Sequence, residues 1–304
     1  MSAQNNRTLL IAFGANLGIA AAKFVAAAIT GSSAMLTEGV HSVVDSTNQL
    51  LLIWGRRQAR KPPDEFHPFG YGRELYFWSF VVAVLVFSLG AGVSVYEGII
   101  HIAEPEHAVS PFIAYTVLGI AFVLEGGSTL AAFREFKEAK GSLGWVEAIL
   151  KSKDPPAFIV LLENGAAMAG LVVAAIGVFV AQMTGNPFWD GAASVVIGII
   201  LGVTAILLAV ESKGLLIGEA ADPELVAELK SYALSHPEVM SIGEVLTVHS
   251  SPDQITAMIS VDFDDRITAG RVEAVVNKIE TEVASRWPQV QRLYIRPRGA
   301  SGAE

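Results

Sequence analysis

The sequence contains no cysteine among its 304 residues. Disulfide bonds and thiolate metal sites are therefore excluded, and the redox compartment stays undetermined. The sequence is also poor in charge, because Asp, Glu, Lys and Arg make up 17% of it, against about 25% in ordinary soluble domains. The formal net charge is −9 and no basic stripe stands out, so nucleic acid is not expected as a partner.

Apolar residues make up 52% of the chain and form long runs in its first two thirds. A helix needs about 20 apolar residues to cross roughly 30 Å of hydrocarbon. We therefore predict an all-α six-helix transmembrane domain over residues 1–211 and a soluble domain over residues 212–304. The six predicted spans are Thr8–Thr30, Ala34–Trp54, Leu75–Ile102, Pro111–Phe133, Pro155–Met183 and Phe188–Glu211.

Lysine and arginine are distributed on one side of the predicted membrane domain. The loops 31–33, 103–110 and 184–187 carry neither residue, whereas the loops after the second and fourth spans hold ten of them. Basic loops remain on the cytoplasmic side. We therefore expect both termini to be cytoplasmic in a multi-pass protein of the lipid bilayer, most simply a bacterial inner (plasma) membrane. The ten basic residues are Arg56, Arg57, Arg60, Lys61, Arg73, Arg134, Lys137, Lys140, Lys151 and Lys153.

The soluble tail has the pattern of a small two-layer α+β domain with the order αββαβ. Its predicted helices have amphipathic spacing or capping residues, and its predicted strands are rich in β-branched residues. The predicted elements are helix Asp222–Ser235, strands Val245–His249 and Ile255–Phe263, helix Thr268–Arg286 and strand Arg292–Arg296.

The second predicted span carries three ionisable residues, Glu38, His41 and Asp45. Their spacing of three and four residues places them on one face of a helix. An ionisable group inside a membrane costs at least about 2.5–3.5 kcal/mol, which makes such groups candidates for function. An imidazole one turn from a carboxylate is half of a site for a divalent metal such as zinc.

The remaining ligands should lie at the same depth on other helices. At 1.5 Å per residue, both Asp45 and Glu163 lie roughly 18 Å from the outer face of the membrane. Asn164 lies within one residue of that depth, and Asn16 and Glu125 fall nearby. The sequence therefore predicts a metal site near the midplane. The alternative for the neutral polar residues is that they only join helices by hydrogen bonds.

Lys23 is a further charged residue inside a predicted span, at roughly the depth of Glu38. An ion pair between Lys23 and Glu38 is the simplest interpretation of both residues. It neutralises Glu38 and leaves His41 and Asp45 for the metal.

Three motifs resemble the cation diffusion facilitator family. The run Gly31-Ser-Ser-Ala-Met-Leu-Thr-Glu-Gly-Val-His41-Ser-Val-Val-Asp45 contains the family's His-x-x-x-Asp. His67-Pro-Phe-Gly-Tyr-Gly is similar to its His-Pro-x-Gly-Tyr-Gly, and Asp190 to the aspartate that opens its sixth helix. The resemblance covers nearly the whole chain and implies six helices, a soluble tail that dimerises and transport of divalent cations.

The fifth span departs from the typical zinc members, which carry a second His-x-x-x-Asp there. Pro156 and Val160 stand at those two positions, and neither can bind a metal. The run Leu161-Leu-Glu163-Asn164 resembles a divergent zinc-transporter branch that has Leu-Leu-Glu-Asp. A site with one histidine is harder in ligand character, which leaves Mn²⁺, Fe²⁺ and Co²⁺ open, although Zn²⁺ remains the first expectation.

The tail also departs from the family, because the last strand has no ligand where many members bind zinc. His236 and His249 remain as weak candidates for a metal site in the soluble domain. The role that the resemblance implies for the tail is to form a homodimer.

These patterns predict a transporter and not an enzyme. The metal would be held by His41, Asp45, Glu163 and Asn164 and released when protons take its place, because ligands must be deprotonated to bind a metal. This makes H⁺ the coupling ion of an alternating-access antiporter. Two alternatives stay open: a non-transporting membrane protein that senses metal or binds a partner, and a transporter of organic cations, which the lack of aromatic residues around the acids disfavours.

Overall fold

The chain divides into two units. The first runs up to Arg57 and resumes over Phe77–Lys213, and the second consists of Gln58–Tyr76 and the chain from Gly214 onward. The computed structural model describes residues 3–104 and 111–299, without the side chains of residues 3–16, 87, 88, 111, 139, 146, 150 and 151. The segment between the second and third predicted spans thus belongs with the tail, which its sequence did not indicate.

The described residues of the first unit form helices joined by short turns, and every predicted span lies inside one of the helical runs. A π-helical segment, Val86–Ala91, joins α3 to α4 without a break. The short helix α6 was not predicted. The helices are α1 (Ala3–Thr30), α2 (Ser33–Ala59), α3 (Glu74–Leu85), α4 (Gly92–Ala103), α5 (Pro111–Lys140), α6 (Trp145–Lys151), α7 (Pro155–Thr184) and α8 (Phe188–Ile217).

Among the described residues, four helical runs are long and apolar enough to cross a membrane: 74–103, 112–138, 155–184 and 188–217. This confirms a membrane protein, while the count of six spans stays a prediction. Helix α2 is 27 residues long but less apolar, because much of its buried face is polar. In α1 the structure describes side chains only from Leu17 onward, and Leu17–Thr30 is apolar.

Small residues bring the helices of the first unit close together. A Cβ atom added at Gly98 of α4 would lie 2.8 Å from the carbonyl oxygen of Gly191 in α8, and one at Gly191 would lie 2.9 Å from the carbonyl oxygen of Gly98. Such contacts are typical of membrane helices, where close backbone approach replaces the hydrophobic effect. The same core contains Ala26, Ala27, Ala34, Ala91, Ala166, Ala174 and Ala193.

The tail of the second unit has the predicted order of elements. Strand β1 (Val239–Ser251) pairs antiparallel with β2 (Gln254–Phe263), and β2 pairs parallel with β3 (Val290–Pro297), so the sheet order is β1-β2-β3. Helix α9 (Pro223–Leu234) begins after Asp222, whose side chain accepts a hydrogen bond from Glu224 N, and α10 (Ala269–Arg286) follows Thr268, which caps it in the same way. Strand β1 is longer than predicted because it continues through irregular pairing before Val245.

The sheet has one buried face and one open face. Alternate β2 residues, from Ile255 to Phe263, join the core that includes residues of α9 and α10. On the open face, Leu246, Met258 and Tyr294 occupy neighbouring positions on the three strands and are all exposed. This apolar row is unusual on the surface of a small domain.

The segment 58–76 contacts the tail at the end of the sheet. The Arg292 guanidinium donates a hydrogen bond to the Pro68 carbonyl oxygen and lies over the ring of Phe69. Within the segment, the Tyr71 hydroxyl and backbone N–H groups donate to Asp64, which holds the pKa of this carboxyl below its usual range. His67 lies beside the same carboxylate, with Nδ1 3.4 Å from Oδ1.

Candidate metal centre

His41 and Asp45 lie next to each other on α2, as their spacing of four residues predicts. His41 is 2% exposed, and its Nε2 lies 3.3 Å from Oδ2 of Asp45, one turn further along the helix. Neither ring nitrogen of His41 has a hydrogen-bond partner among the described residues, and the same holds for Oδ1 of Asp45. Buried polar atoms without partners are rare and costly, so this pair has free coordination capacity inside the protein.

Glu163 of α7 faces the next turn of α2. Its side chain is 4% exposed, and its Oε1 accepts a hydrogen bond of 2.8 Å from the amide of Asn48. Asn48 lies seven residues after His41, so it shares the face that carries His41. Asn48 is one of the neutral polar residues for which hydrogen bonding between helices was the alternative role, and its spacing from His41 could have indicated a contact on this face.

Two contacts fix the register of α2 against α7. Asn48 meets Glu163, and near the other end of the polar face Glu38 approaches Gly170, where an added Cβ would lie 2.5 Å from Glu38 Oε1. The helices are therefore antiparallel, and Asp45 comes level with Glu163 and Asn164. The depth estimate from the sequence led to the same alignment.

Asp45, Glu125 and Asn164 line one small cavity between α2, α5 and α7, with a volume of about 30 Å³. Asn164 donates a hydrogen bond of 3.3 Å to Ser128 of α5. Glu125 is also on α5, and its side chain is 18% exposed. The cavity holds at least one water-sized particle, and its polar lining consists of oxygen-bearing side chains.

Lys23 and Glu38 lie 3.0 Å apart, and both are completely buried. The Lys23 ammonium also donates to Ser42 Oγ and to Glu125 Oε1, each at 2.8 Å. The sequence did not predict the contact with Glu125, because the rotation of α5 about its axis cannot be derived from depth alone.

The structure thus arranges the predicted ligands in adjacent pairs. Among the residues it describes, no group of three His, Asp or Glu side chains is close enough to hold a metal ion. His41 lies with Asp45, and Glu163 lies with Asn48 on the neighbouring turn. Asn16 lies in α1, but its side chain is outside the described residues.

The two histidines of the tail do not share a site. His236 precedes strand β1 and His249 lies near the far end of that strand, so residues 239–248 separate them by an extended span of roughly 30 Å. His236 Nδ1 lies 3.3 Å from the carbonyl oxygen of Tyr232, and His249 Nδ1 lies 3.2 Å from that of Ser251. Both rings are buried and contact local backbone.

Asp190 joins three helices at one end of the bundle, which we call the Gly31 end. Its carboxylate accepts hydrogen bonds of 2.7 Å from the Ser32 hydroxyl and from the backbone N–H of Ser33. A carboxylate is favourable there because it meets the N-terminus of α2. His101 of α4 lies 3.8 Å away on the wall of a cavity of about 730 Å³.

The opposite end, which we call the Arg56 end, contains a second cavity of about 340 Å³ between α2, α5 and α7. Gln49 lines both this cavity and the small one beside Asp45. Arg56 and Asp154 form an ion pair of 3.5 Å at its wall. The helices that carry the candidate ligands thus also line an approach to them.

Comparison with known proteins identifies the family. Residues 9–217 match the sequence model of the cation efflux transmembrane domain. The chain belongs to the cation efflux family. This is the family that the three sequence motifs resemble, and its members are transporters and not enzymes. The match covers all the helices from α2 to α8 and most of α1.

Relatives of this cation efflux protein include one named for zinc and one named for manganese. It is 35% identical over 248 residues to the mitochondrial proton-coupled zinc antiporter SLC30A9 of Xenopus laevis, which covers 81% of the chain and 44% of that protein. It is 31% identical to metal tolerance protein C4 of Arabidopsis thaliana, over 86% of the chain and 58% of that protein. It is 22% identical to the manganese efflux system protein MneP of Bacillus subtilis, over 96% and 95% of the two chains. The chain therefore spans less than two thirds of the first two relatives.

Proposed function

We propose that this protein exports divalent metal cations across a membrane in exchange for protons, with Zn²⁺ as the preferred ion. The observation that carries the proposal is the buried His41–Asp45 pair, whose free coordinating atoms lie level with Glu163 and Asn164 across the α2–α7 contact. Residues 1–211 form the six-span transport domain in this proposal, and residues 212–304 form a cytoplasmic domain.

The proposed ligands are His41, Asp45 and Glu163, with Asn164 or water completing the shell. One imidazole with carboxylates is a set that zinc accepts, and the oxygen-rich cavity also suits Mn²⁺, Fe²⁺ or Co²⁺. To bind the metal, Glu163 would have to give up the hydrogen bond that it accepts from Asn48. Rotation of these side chains would then bring Glu163 together with the His41–Asp45 pair around the cation.

Charge makes the centre attractive to a cation. Among the described residues, Glu38 and Glu125 contact the ammonium group of Lys23, whereas Asp45 lies beside His41 and Glu163 accepts from the neutral amide of Asn48. If all four carboxylates are ionised, three negative charges remain uncompensated in a region from which water is largely excluded. A divalent cation or protons can supply the compensation, which is the basis for exchange of one for the other.

The cation is proposed to enter at the Arg56 end, through the cavity between α2, α5 and α7. The basic loops make this end the cytoplasmic one, so both termini are cytoplasmic and the membrane is a bacterial inner membrane in the simplest case. Exit then occurs at the Gly31 end, past the contact of Asp190 with α2. Alternating exposure of a midplane site is the general solution for such transporters.

Flux measurements on the purified protein in liposomes test this function. We expect uptake of Zn²⁺ to exceed that of Mn²⁺, Fe²⁺ and Co²⁺. A liposome interior one pH unit more acidic than the outside should raise the steady-state accumulation of Zn²⁺ about tenfold per exchanged proton, because one pH unit corresponds to about 1.4 kcal/mol of driving force per proton. The control is empty liposomes. Zinc flux that ignores the pH gradient would contradict the coupling, and absence of flux for all four metals would contradict the function.

We further propose that the protein is a homodimer joined through the tail, with the row Leu246–Met258–Tyr294 in the interface. The row is exposed, apolar and continuous across three strands. A carboxylate in such an interface lacks a partner and is costly to bury. We expect Met258→Glu to convert the detergent-solubilised protein to monomers in light scattering, whereas Glu244→Gln on the same sheet leaves dimers. Dimers of Met258→Glu at the wild-type level would contradict this interface.

A further inference from the structure

Lys23 makes more contacts than a simple ion pair requires. Its ammonium group donates to Glu38 Oε2, Ser42 Oγ and Glu125 Oε1 at 3.0, 2.8 and 2.8 Å. These three bonds use all the donors that an ammonium group has. The side chain is 0% exposed and connects α1, α2 and α5.

The two carboxylate oxygens of Glu125 have different surroundings, and only one of them contacts Lys23. Its Oε1 accepts from Lys23, while Oε2 is buried without a hydrogen-bond partner among the described residues. The same side chain lines the small cavity together with Asp45 and Asn164. Glu125 is therefore the carboxylate at which the buried ammonium and the proposed transport site meet.

Glu38 keeps Lys23 at this position. It is completely buried, and its Oε1 lies against Gly170, where no side chain larger than hydrogen fits without a shift. The ammonium group thus cannot leave without exposing two carboxylates to an apolar interior, which is strongly unfavourable.

We propose that Lys23 is a resident cation of the transport site, which competes with the incoming divalent ion for Glu125. This inference rests on the proposed function. With no metal bound, the ammonium group neutralises Glu125. When a divalent cation enters the cavity beside Asp45, Glu125 turns its free oxygen toward it, and the two cations repel each other across one carboxylate. Lys23 thereby weakens metal binding enough for release.

A purely structural ion pair would behave differently. Loss of such a pair would lower stability and leave metal affinity unchanged or weaker. A resident cation that competes for a ligand must instead give tighter metal binding when its charge is removed. This gain in metal affinity on removal of the Lys23 charge must also vanish when Glu125 can no longer act as a charged ligand.

The test measures the zinc dissociation constant of the full-length purified protein with a competing zinc dye, and zinc flux in liposomes. We expect Lys23→Met to bind zinc at least about tenfold more tightly, which corresponds to about 1.4 kcal/mol, and to release it more slowly, so that maximal flux falls. Lys23→Arg keeps the charge and stays within about threefold of wild type. Lys213→Met, an exposed lysine of α8, serves as the matched control without effect.

A double variant identifies the carboxylate. In a Glu125→Gln background, Lys23→Met is expected to change zinc affinity by less than about threefold, because the shared ligand has lost its charge. If Lys23→Met does not fold, Lys23→Met with Glu38→Gln removes the buried pair together and must show the same tightening.

Two results would overturn the inference. One is a folded Lys23→Met, or its Glu38→Gln double variant, that binds zinc no more tightly than wild type. The other is equal tightening in the Glu125→Gln background. In both cases wild-type flux remains, so the proposed function stands. A wild-type protein that neither binds nor transports any divalent metal refutes the proposed function and this inference with it.

Discussion

Asp45→Asn should reduce zinc flux in liposomes by more than about 100-fold. Loss of a group that only orients a metal ligand already costs about 10–100-fold in affinity or activity, and Asp45 is proposed to bind the metal directly. The asparagine keeps the size of the side chain and its contact with His41, so the helix packing should survive. Flux of a metal-sensitive dye, with protein content and melting temperature matched, measures the effect.

The control for this substitution is Asp253→Asn, which changes an exposed aspartate in the turn between β1 and β2. It should leave flux at the wild-type level. Zinc flux of Asp45→Asn within about threefold of wild type would exclude Asp45 as a ligand, because removal of a direct ligand cannot be that mild.

Glu163→Gln should lower zinc flux by at least about 30-fold, within the range expected for a lost metal contact. A glutamine oxygen can still accept the hydrogen bond from Asn48, which is 2.8 Å long with glutamate. The substitution therefore removes the charge while it preserves the local packing. A dye-based flux assay and a zinc titration report the two consequences, slower transport and weaker binding.

Asn48→Ala separates the role of Asn48 from that of Glu163. It removes the hydrogen bond and keeps the Glu163 carboxylate, so stability should fall by about 1.5–3 kcal/mol, as for a hydrogen bond to a charged group. Zinc binding should be retained or become tighter, since Glu163 no longer has to exchange partners. If Glu163→Gln transports zinc normally while Asp45→Asn does not, Glu163 is not a ligand, and Asn164 is the one proposed ligand that α7 retains.

Much of the candidate site could be predicted from the sequence because helix geometry is regular. The spacing of Glu38, His41 and Asp45 places them on one face whatever the rest of the fold does. Counting 1.5 Å per residue brought Asp45 level with Glu163, and the contact between Asn48 and Glu163 is in agreement with that alignment. The tight turn at residues 31–33 predicted that α2 runs antiparallel to α1.

The contacts between helices could not be predicted in the same way. Depth fixes how far along its axis a residue lies, but it does not fix the rotation of the helix about that axis. For this reason the sequence placed Glu125 near the site without revealing that Lys23 donates to it. For the same reason, the hydrogen bond between Asn164 and Ser128 could not be predicted from the sequence.

The second unit shows a different limit of sequence reasoning. Hydrophobic alternation predicted the core strands correctly, but it missed the irregular first half of β1, where shifts in the pairing register interrupt the period of two. Nothing in the composition of residues 58–76 indicated that this segment joins the tail. Its contacts there depend on single pairs such as Arg292 with Pro68, which no local pattern encodes.

The central claim is that a divalent cation binds in the membrane between α2 and α7. Anomalous scattering at the zinc absorption edge, from crystals of the zinc-loaded protein, tests it most directly. The account predicts a peak about 2.0–2.2 Å from His41, Asp45 and Glu163, which disappears in Asp45→Asn. A zinc peak confined to the tail or to the segment around His67, with none between α2 and α7, would contradict it.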